Sequence, residues 1–494
     1  MVSYFRILPL TNEVVMLKIV QSDEEINSNG GLALVKGLLD ANPAMRQWDT
    51  LLPAAAQARF GTTDIVRCMV GLMTTGVTDF AGVARGRADA LLARLCGGAM
   101  PSEATFRQRL DSLAAKAWAP VLDSCVASQL RPSAMGRVSV GGLSLIPLDI
   151  DVSVLEDRHS RKEGVAWTYM NVPGYAPILC HAGTEGHMVA NELRPGNRHC
   201  GCGAAGFVRR CVEVMRKAGA APEELLVRVD SGHDSGEFIA ELIRLNVRFL
   251  VKRNPRRESP GQLLDSVRGM DPPVRPRPGK AIHRGVRADR SPAGCEGHRV
   301  FMVIEGVERT VTRSGQRLLL PEVEVSSWWT NLPLKAAECV GLYHAHGTSE
   351  QFHSELKTDM GVEQLPSGHR ATNALILGLS TIAFNCMRDI GQRALTLAEE
   401  ARKAEEARKA EEARKAEEAG KGREDREEGK AEEARKAEEE GKDREPPGRL
   451  RLRTVLLDYI KVGCKLVRHA GQELLKFGRG CYNFMIFKGI YDSL

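Results

Sequence analysis

Three aspartates close apolar runs that read as strands. In LIPLDIDVSV, Asp149 and Asp151 stand two residues apart. A strand would turn both to one face, because its side chains alternate sides. In LLVRVDSG, Asp230 ends a second apolar run. A carboxylate among apolar neighbours needs a cation or a metal to offset lost hydration. Three converging carboxylates would suit hard divalent cations such as Mg²⁺, and two ions about 3.5–4 Å apart would serve phosphoryl transfer. A single strand-end aspartate is equally a turn former, so this reading needs a third acid.

The third acid points to LYHAHGTSEQFHSELK, Leu342 to Lys357, which holds three histidines, two glutamates and one lysine. On an ideal helix at roughly 100° per residue, with Glu350 as origin, Lys357 lies at about −20°, His346 at about −40° and Tyr343 at about +20°. Tyr343, His346, Glu350 and Lys357 then share one stripe, while Glu355 falls on another face. A charged surface helix would show the same stripe. Glu350-x-x-His353 and Glu156-x-x-His159 also have the spacing of carboxylate–histidine di-metal redox bundles. That chemistry requires both pairs on facing helices, and Glu156 follows a strand in a polar run. HCGCG at 199–203 has the composition of a metal knuckle without a second Cys/His pair at zinc-finger spacing, so a Gly-rich loop is the simpler reading.

The elements that must hold these residues are legible in outline. Residues 1–30 read as a leader without a packing role. From 31 to 136 apolar residues recur at three and four, as in DIVRCMVGLMTTGVTDFAGVA, which predicts helices. In MPSEATFRQRL, Ser102 is the expected N-cap, with Arg107 and Arg109 close behind it. That suits a DNA-binding module as well as plain helix packing. From 137 to 252 the pattern runs strand, strand, strand, helix, strand, helix, strand: a mixed α/β layer. Residues 252–290 carry 11 Lys/Arg against 4 Asp/Glu and read as an irregular basic insertion able to meet DNA. Strand-like segments follow, and helical periodicity returns from about 335 to 398.

A six-residue repeat, ARKAEE, comes next. Its residues are strong helix formers, and Arg402–Glu406 and Glu405–Lys409 are i,i+4 pairs of opposite charge. Alanine every three residues drifts roughly 60° per step, so no heptad seam forms and a solvated single helix is expected. It reads as a spacer arm or as a dispensable expansion. Gly420, Gly422, Gly429 and Gly441 should fray it and EPPGR should end it. The basic, apolar stretch LRTVLLDYIKVGCKLVRHAGQELLKFG should resume a packed helix.

Composition sets the outer bounds. The chain has 494 residues, 43% of them hydrophobic and 27% charged, which excludes fibrous and disulfide-scaffold classes. Its net charge is +6; residues 401–445 hold 14 Lys/Arg and 17 Asp/Glu, a net of −3, which leaves +9 on the rest. A basic body fits an acidic partner such as nucleic acid. The twelve cysteines are scattered, many among apolar neighbours, as expected of buried thiols in a reducing compartment. No signal peptide is visible and no apolar run reaches membrane-spanning length, so no membrane partner is expected.

Taken together, these stretches resemble a known family. The spacing Tyr343-x2-His346-x3-Glu350-x6-Lys357 resembles the Y-x2-R-x3-E-x6-K signature of cut-and-paste insertion-sequence DDE transposases. LDIDVS, GYAPIL, LRPGN, VRVDSG, KRN, TNLP and GTSEQFHSELKTDMGVEQLPSGHRATNALIL resemble its "thirteen-eighty" family, and MPSEATFRQRL resembles that family's N-terminal segment. The likeness covers about 30–395 and 449–480 and omits the ARKAEE tract.

The resemblance implies an α/β, RNase H-like catalytic domain over 137–397 with a β-rich insertion at about 253–325. A helical, candidate DNA-binding domain at 31–136 would precede it. The repeat at 398–447 and a basic helical segment at 448–494 would follow. The family's first acid maps to Asp151, because Asp-x-Ser/Thr fits DVS better than it fits Asp149. The second maps to Asp230 and the third to Glu350. These would hold two Mg²⁺ ions, with Mn²⁺ as a substitute, while Tyr343, His346 and Lys357 bind DNA phosphate. The implied partners are double-stranded DNA, both terminal inverted repeats and target, and further copies of the chain in the DNA complex, within a bacterial cytoplasm. His346 departs from the signature's arginine, which is always charged and grips phosphate bidentately. That departure keeps open a decayed or repurposed protein that binds DNA without cutting it.

Overall fold

The computed structural model describes residues 4–6, 16–19, 21, 24–158, 161–418 and 448–494. Three short strands come first: β1 (Tyr4–Arg6), β2 (Met16–Lys18) and β3 (Ile26–Asn27). Seven helices follow, namely α1 (Leu32–Asp40), α2 (Gln47–Leu51), α3 (Thr62–Thr74), α4 (Gly82–Arg85), α5 (Ala90–Leu95), α6 (Glu103–Ala114) and α7 (Ala119–Gln129). Ser102 caps α6 as expected, its Oγ accepting the Thr105 N–H at 3.1 Å. The end of the leader does pack, contrary to expectation. Gly30 and Gly31 donate to the carbonyls of Val462 and Ile460 at 2.8 and 3.1 Å. A Cβ on Gly31 would lie 2.1 Å from the Tyr459 carbonyl oxygen, so only glycine allows this approach.

The layer that follows is mixed α/β. Its strands are β4 (Val138–Val140), β5 (Leu143–Val152), β6 (Leu155–Glu156), β7 (Ala166–Trp167), β8 (Pro173–Tyr175), β9 (Ile178–Ala182) and β10 (His187–Glu192). After α8 (Ala204–Lys217) come β11 (Leu225–Val229), α9 (Gly236–Arg244) and β12 (Arg248–Lys252). The large sheet runs β10-β9-β5-β11-β12-β16-β15-β14-β13, with β4 also paired to β5. Here β13 is Val274–Arg277, β14 Lys280–Arg287, β15 Phe301–Val311 and β16 Arg317–Thr330. β9 lies antiparallel to β5, whereas β11 and β12 run parallel to it. The short strands β6, β8 and β7 form a separate small sheet.

Residues 252–290, expected to be irregular, are not. They hold α10 (Pro260–Asp265), β13 and β14. These strands prolong the main sheet, because β16 pairs antiparallel with β12 and covers what would be an open edge.

The expected helix over 335–398 is interrupted. It is built of α11 (Ala336–His344), a 3-10 turn at Ala345–Thr348, α12 (Ser349–Ser354), a π turn at Glu355–Asp359, and α13 (Arg370–Glu418). α13 is 49 residues long, about 73 Å at 1.5 Å per residue. Against the sequence reading, it is long and apolar enough to cross a membrane by length and composition, yet 89% of the relevant stretch is buried inside the protein. It is the core helix on which α3, α6 and α7 pack. Past Leu397 it becomes the solvated helix expected of the repeat, with Lys409–Glu405 and Lys415–Glu411 pairs at 2.8 and 2.6 Å. The glycines expected to fray the repeat lie outside the described residues. The described residues resume at Gly448, whose carbonyl accepts from Gln392 Nε2 at 3.2 Å.

The C-terminal segment is not one packed helix. A short helical stretch ends at Ile460, strands β17 (Cys464–His469) and β18 (Gln472–Phe477) form a hairpin, and a helix occupies Phe484–Asp492. Ala470 and Gly471 both take positive φ, 48° and 77°. Such a two-residue turn matches strand twist and overrides the helical composition. β17 also pairs with β3 of the leader.

Candidate active site

Register places the first two acids side by side. Ile150 pairs with Val229 across the parallel strands β5 and β11, so Asp151 and Asp230 come next on each. Adjacent strands lie about 4.8 Å apart. One face of these strands, with Ile146, Leu148, Ile150, Val227 and Val229, shares a core with α8 and α9. The other face carries Leu145 and Leu226 beneath α11, then turns polar toward the strand ends.

Asp149 anchors that polar region through ion pairs of its own, apart from Asp151 and Asp230. It is 2% exposed and takes Arg228 Nε and Nη2 at 2.6 and 2.7 Å. His346 Nδ1 lies 2.9 Å from Asp149 Oδ1. Burial pushes this carboxyl up, but His346 and Arg228 outweigh it and hold it below the usual carboxylate range. Arg228 also donates to the Leu342 carbonyl at 2.8 Å, tying the sheet to the end of α11.

Asp151 is the opposite case. Burial and then the charge of Asp230 push its carboxyl above the usual range. Its Oδ1 accepts from the Val152 N–H at 2.7 Å, and among the described residues it makes no ion pair. Asp230 is half exposed and accepts from Gly232 N at 3.1 Å and His233 Nδ1 at 2.8 Å. Burial raises it too, but the His233 bond outweighs that and holds it low. Two neighbouring carboxylates, one unpaired and repelled by the other, are a hard-oxygen donor set that fits a divalent cation.

The remaining residues divide. Tyr343 joins the acid pair: burial, then Asp230 and Asp151, push its phenol well above its ordinary value. Its ring packs on Trp328 and His346 at 5.5 and 5.8 Å, with Lys252 Nζ 5.9 Å from its centroid. His346 is buried beside it. Lys357 sits beyond the end of β5, where its Nζ donates to the Val154 carbonyl at 3.3 Å. Glu350 is exposed and lines a cavity of about 650 Å³ with Thr184, Ser354, Arg449 and Arg451. The expected single stripe is therefore split, because the 3-10 and π turns reset the helical angle on either side of α12. Among the described residues no three His, Cys, Asp or Glu groups converge on a metal position. Glu355, excluded on angle, is 1% exposed and paired with Arg388 and Arg449.

The two metal alternatives fare worse. Glu156 lies on β6 rather than a helix, and His159 lies outside the described residues. In HCGCG, Cys200 Sγ donates to the Gly232 carbonyl at 3.1 Å and His199 Nδ1 accepts from Gly201 N at 3.1 Å, as in an ordinary loop.

Four neighbours of the acids escaped the sequence reading. Arg228 stands two residues before Asp230, and that period-two spacing was a usable signal. Lys252 follows Val251, which pairs with Val229, so it ends the strand beside Asp230. His233 is three residues past Asp230. Tyr169 reaches in from a loop, its hydroxyl 3.4 Å from the Val152 carbonyl, and no sequence pattern announces it.

The family model described as "Transposase DDE domain group 1" matches residues 14–267, which include Asp151 and Asp230 and stop short of Glu350. No curated protein matches. Among solved structures, "Cryo-EM structure of piggyBac transposase synaptic complex with hairpin DNA (SNHP)" is similar at 12% identity, covering 73% of this chain and 74% of that chain, with a TM-score of 0.36.

Proposed function

The chain belongs to the transposase DDE domain group 1 family, and on that premise we propose that it catalyses cut-and-paste transposition of an insertion sequence of the thirteen-eighty type. The observation that carries this is the Asp151–Asp230 pair at the carboxyl ends of neighbouring parallel strands. The chain leaves β5 toward β9 and β10 on one side and returns at β11 on the other. That reversal opens a crevice at the strand ends, where open α/β sheets bind ligands. This strand order supports the RNase H-like reading of 137–397.

DDE transposase domains use divalent metals. In this reading the ions are two Mg²⁺, replaceable by Mn²⁺, held by Asp151, Asp230 and Glu350. Bound there, they would supply an activated water or 3′-hydroxyl and charge neutralisation at the leaving oxygen. The chain's own residues do the rest. The Asp149–Arg228 pair locks β5 to β11 and so fixes the spacing of the acids. Tyr343, His346 and Lys357 hold the phosphate backbone, with Lys252 beside Asp230. Glu350, on α12, is the third acid of this reading. The helical 31–136 region and the basic insertion bind double-stranded DNA, and copies of the chain pair across two ends. The repeat at 398–447 is a spacer, and the protein works in the bacterial cytoplasm at the nucleoid.

The exposed position of Glu350 favours a second reading, in which the protein binds element ends without cutting them. DNA carrying the inverted repeats that flank the reading frame separates the two. We expect Mg²⁺- or Mn²⁺-dependent nicking, lost in Asp151→Asn, Asp230→Asn and Glu350→Gln. An active Glu350→Gln protein sinks the assignment of that residue. A wild type that binds the ends and never nicks them establishes the second reading.

A further inference from the structure

We propose that a second, arginine-lined cavity beside the acid pair holds a backbone phosphate of the DNA strand adjoining the one that reacts. The inference rests on the transposase reading and adds a subsite to it. The cavity, about 370 Å³, is walled by Asp234–Gly236, Arg253–Glu258, Ser291–Ala293 and Trp329. Its first wall begins four residues after Asp230 and its second follows Lys252, so it opens off the same strand ends.

Its charges are arranged to leave positive groups free. Glu258 is shared by two cations, pairing with Arg253 and accepting Arg290 Nη1 at 2.8 Å. The Arg253 guanidinium stacks over Trp329 at 5.3 Å, and its Nη1 is buried without a hydrogen-bond partner among the described residues. A buried donor in that condition is costly unless a ligand meets it. Asp234 is engaged by the loop, with Oδ2 accepting from Asn254 N at 2.9 Å and its carbonyl accepting from Arg256 Nη2 at 3.2 Å. Arg257 is exposed and forms no ion pair among the described residues.

The loop shape is enforced. Arg256 holds φ at 52°, a left-handed value rare outside glycine, and its N–H donates to Asn254 Oδ1 at 3.0 Å. Such strain persists where surrounding contacts over-determine it, and it clusters at ligand clamps. Gly236 closes the wall, since a Cβ there would lie 1.9 Å from the Ala293 carbonyl oxygen. Ser235 and Gly236 begin the nine-residue α9, whose N-terminus adds partial positive charge. Guanidinium forks match phosphate oxygens. The volume admits a phosphate with its sugar and excludes a folded partner.

The test uses the full chain in EDTA and a fluorescein-labelled 40-base-pair duplex of mixed sequence, followed by anisotropy across NaCl concentrations. Arg256→Gln/Arg257→Gln should weaken binding about tenfold and make the plot of log K against log salt shallower by about 1. Lys476→Gln/Arg479→Gln removes equal charge from exposed positions in and just after β18, and should leave both nearly unchanged. Thermal melts of both variants should match the wild type. Equal losses in the two variants, or no loss in the first, overturn the subsite. A wild type that binds no duplex overturns instead the transposase reading beneath it.

Discussion

Asp151 and Asp230 are neighbours whose proton affinities are driven in opposite directions. Burial and the Asp230 charge raise Asp151, while His233 outweighs burial at Asp230 and lowers it. A carboxyl with a raised folded pKa contributes stability below its unfolded pKa and loses it as pH climbs through the folded value. At neutral pH the ionised Asp151 therefore strains the metal-free protein. Asp151→Asn should raise the melting temperature in EDTA while abolishing nicking, and Mg²⁺ should stabilise the wild type more than the variant. A lower melting temperature for the variant would contradict this account. Asp149 behaves oppositely. Arg228→Ala strands a buried carboxylate, and urea unfolding at pH 7 should show a loss of about 3–5 kcal/mol. A loss under about 1 kcal/mol, the range of an exposed pair, would show that the clamp is not structural.

α12 rests on β9 through aromatic and imidazole rings. His181 meets Phe352 at 5.2 Å and His353 at 5.5 Å. Burial, followed by the charge of Lys357, pushes His353 down from 6.5 to about 4, and burial drives His181 well below its ordinary value. The folded protein resists protons that the unfolded chain accepts. Stability should fall as pH drops from 6.5 toward about 4, by up to about 1.4 kcal/mol per pH unit for each histidine. Urea midpoints at pH 7 and pH 5 measure the drop, and His353→Leu should shrink it. An unchanged gap would remove His353 from the explanation. Much of this level was legible. Period two put Asp149 and Asp151 on one strand face, and Ser102 announced its helix. The break between α11 and α12 was not, because angles laid on an ideal helix cannot register a 3-10 turn or a π turn set by tertiary packing. The hairpin at β17 and β18 was misread although its signal was present: Ala470 and Gly471 sit between two alternating runs, and helix-forming composition masked them.

At the scale of the whole chain, body and repeat are separable. Leu397 still packs, lying 3.0 Å from where a Cβ on Gly489 would stand, and from Glu400 to Lys415 α13 is exposed. Replacing residues 402–446 with a ten-residue Gly-Ser linker should leave the melting temperature within about 2 °C and duplex affinity within twofold. A larger fall in either would give the repeat a role in the body. Affinity for DNA should also drop steeply with salt, since the chain outside 401–445 carries the positive excess.

Gln392, five residues before the last packed position of α13 at Leu397, touches Gly448, where the described chain resumes. That closed doorway makes copy number a geometric dial. Each six-residue unit lengthens a helix by about 9 Å and turns its tip by roughly 240°, and three units restore the original bearing after about 27 Å. Recombination between identical units could thus re-aim whatever the arm carries in thirds of a circle, while the acids on β5 and β11 stay where they are.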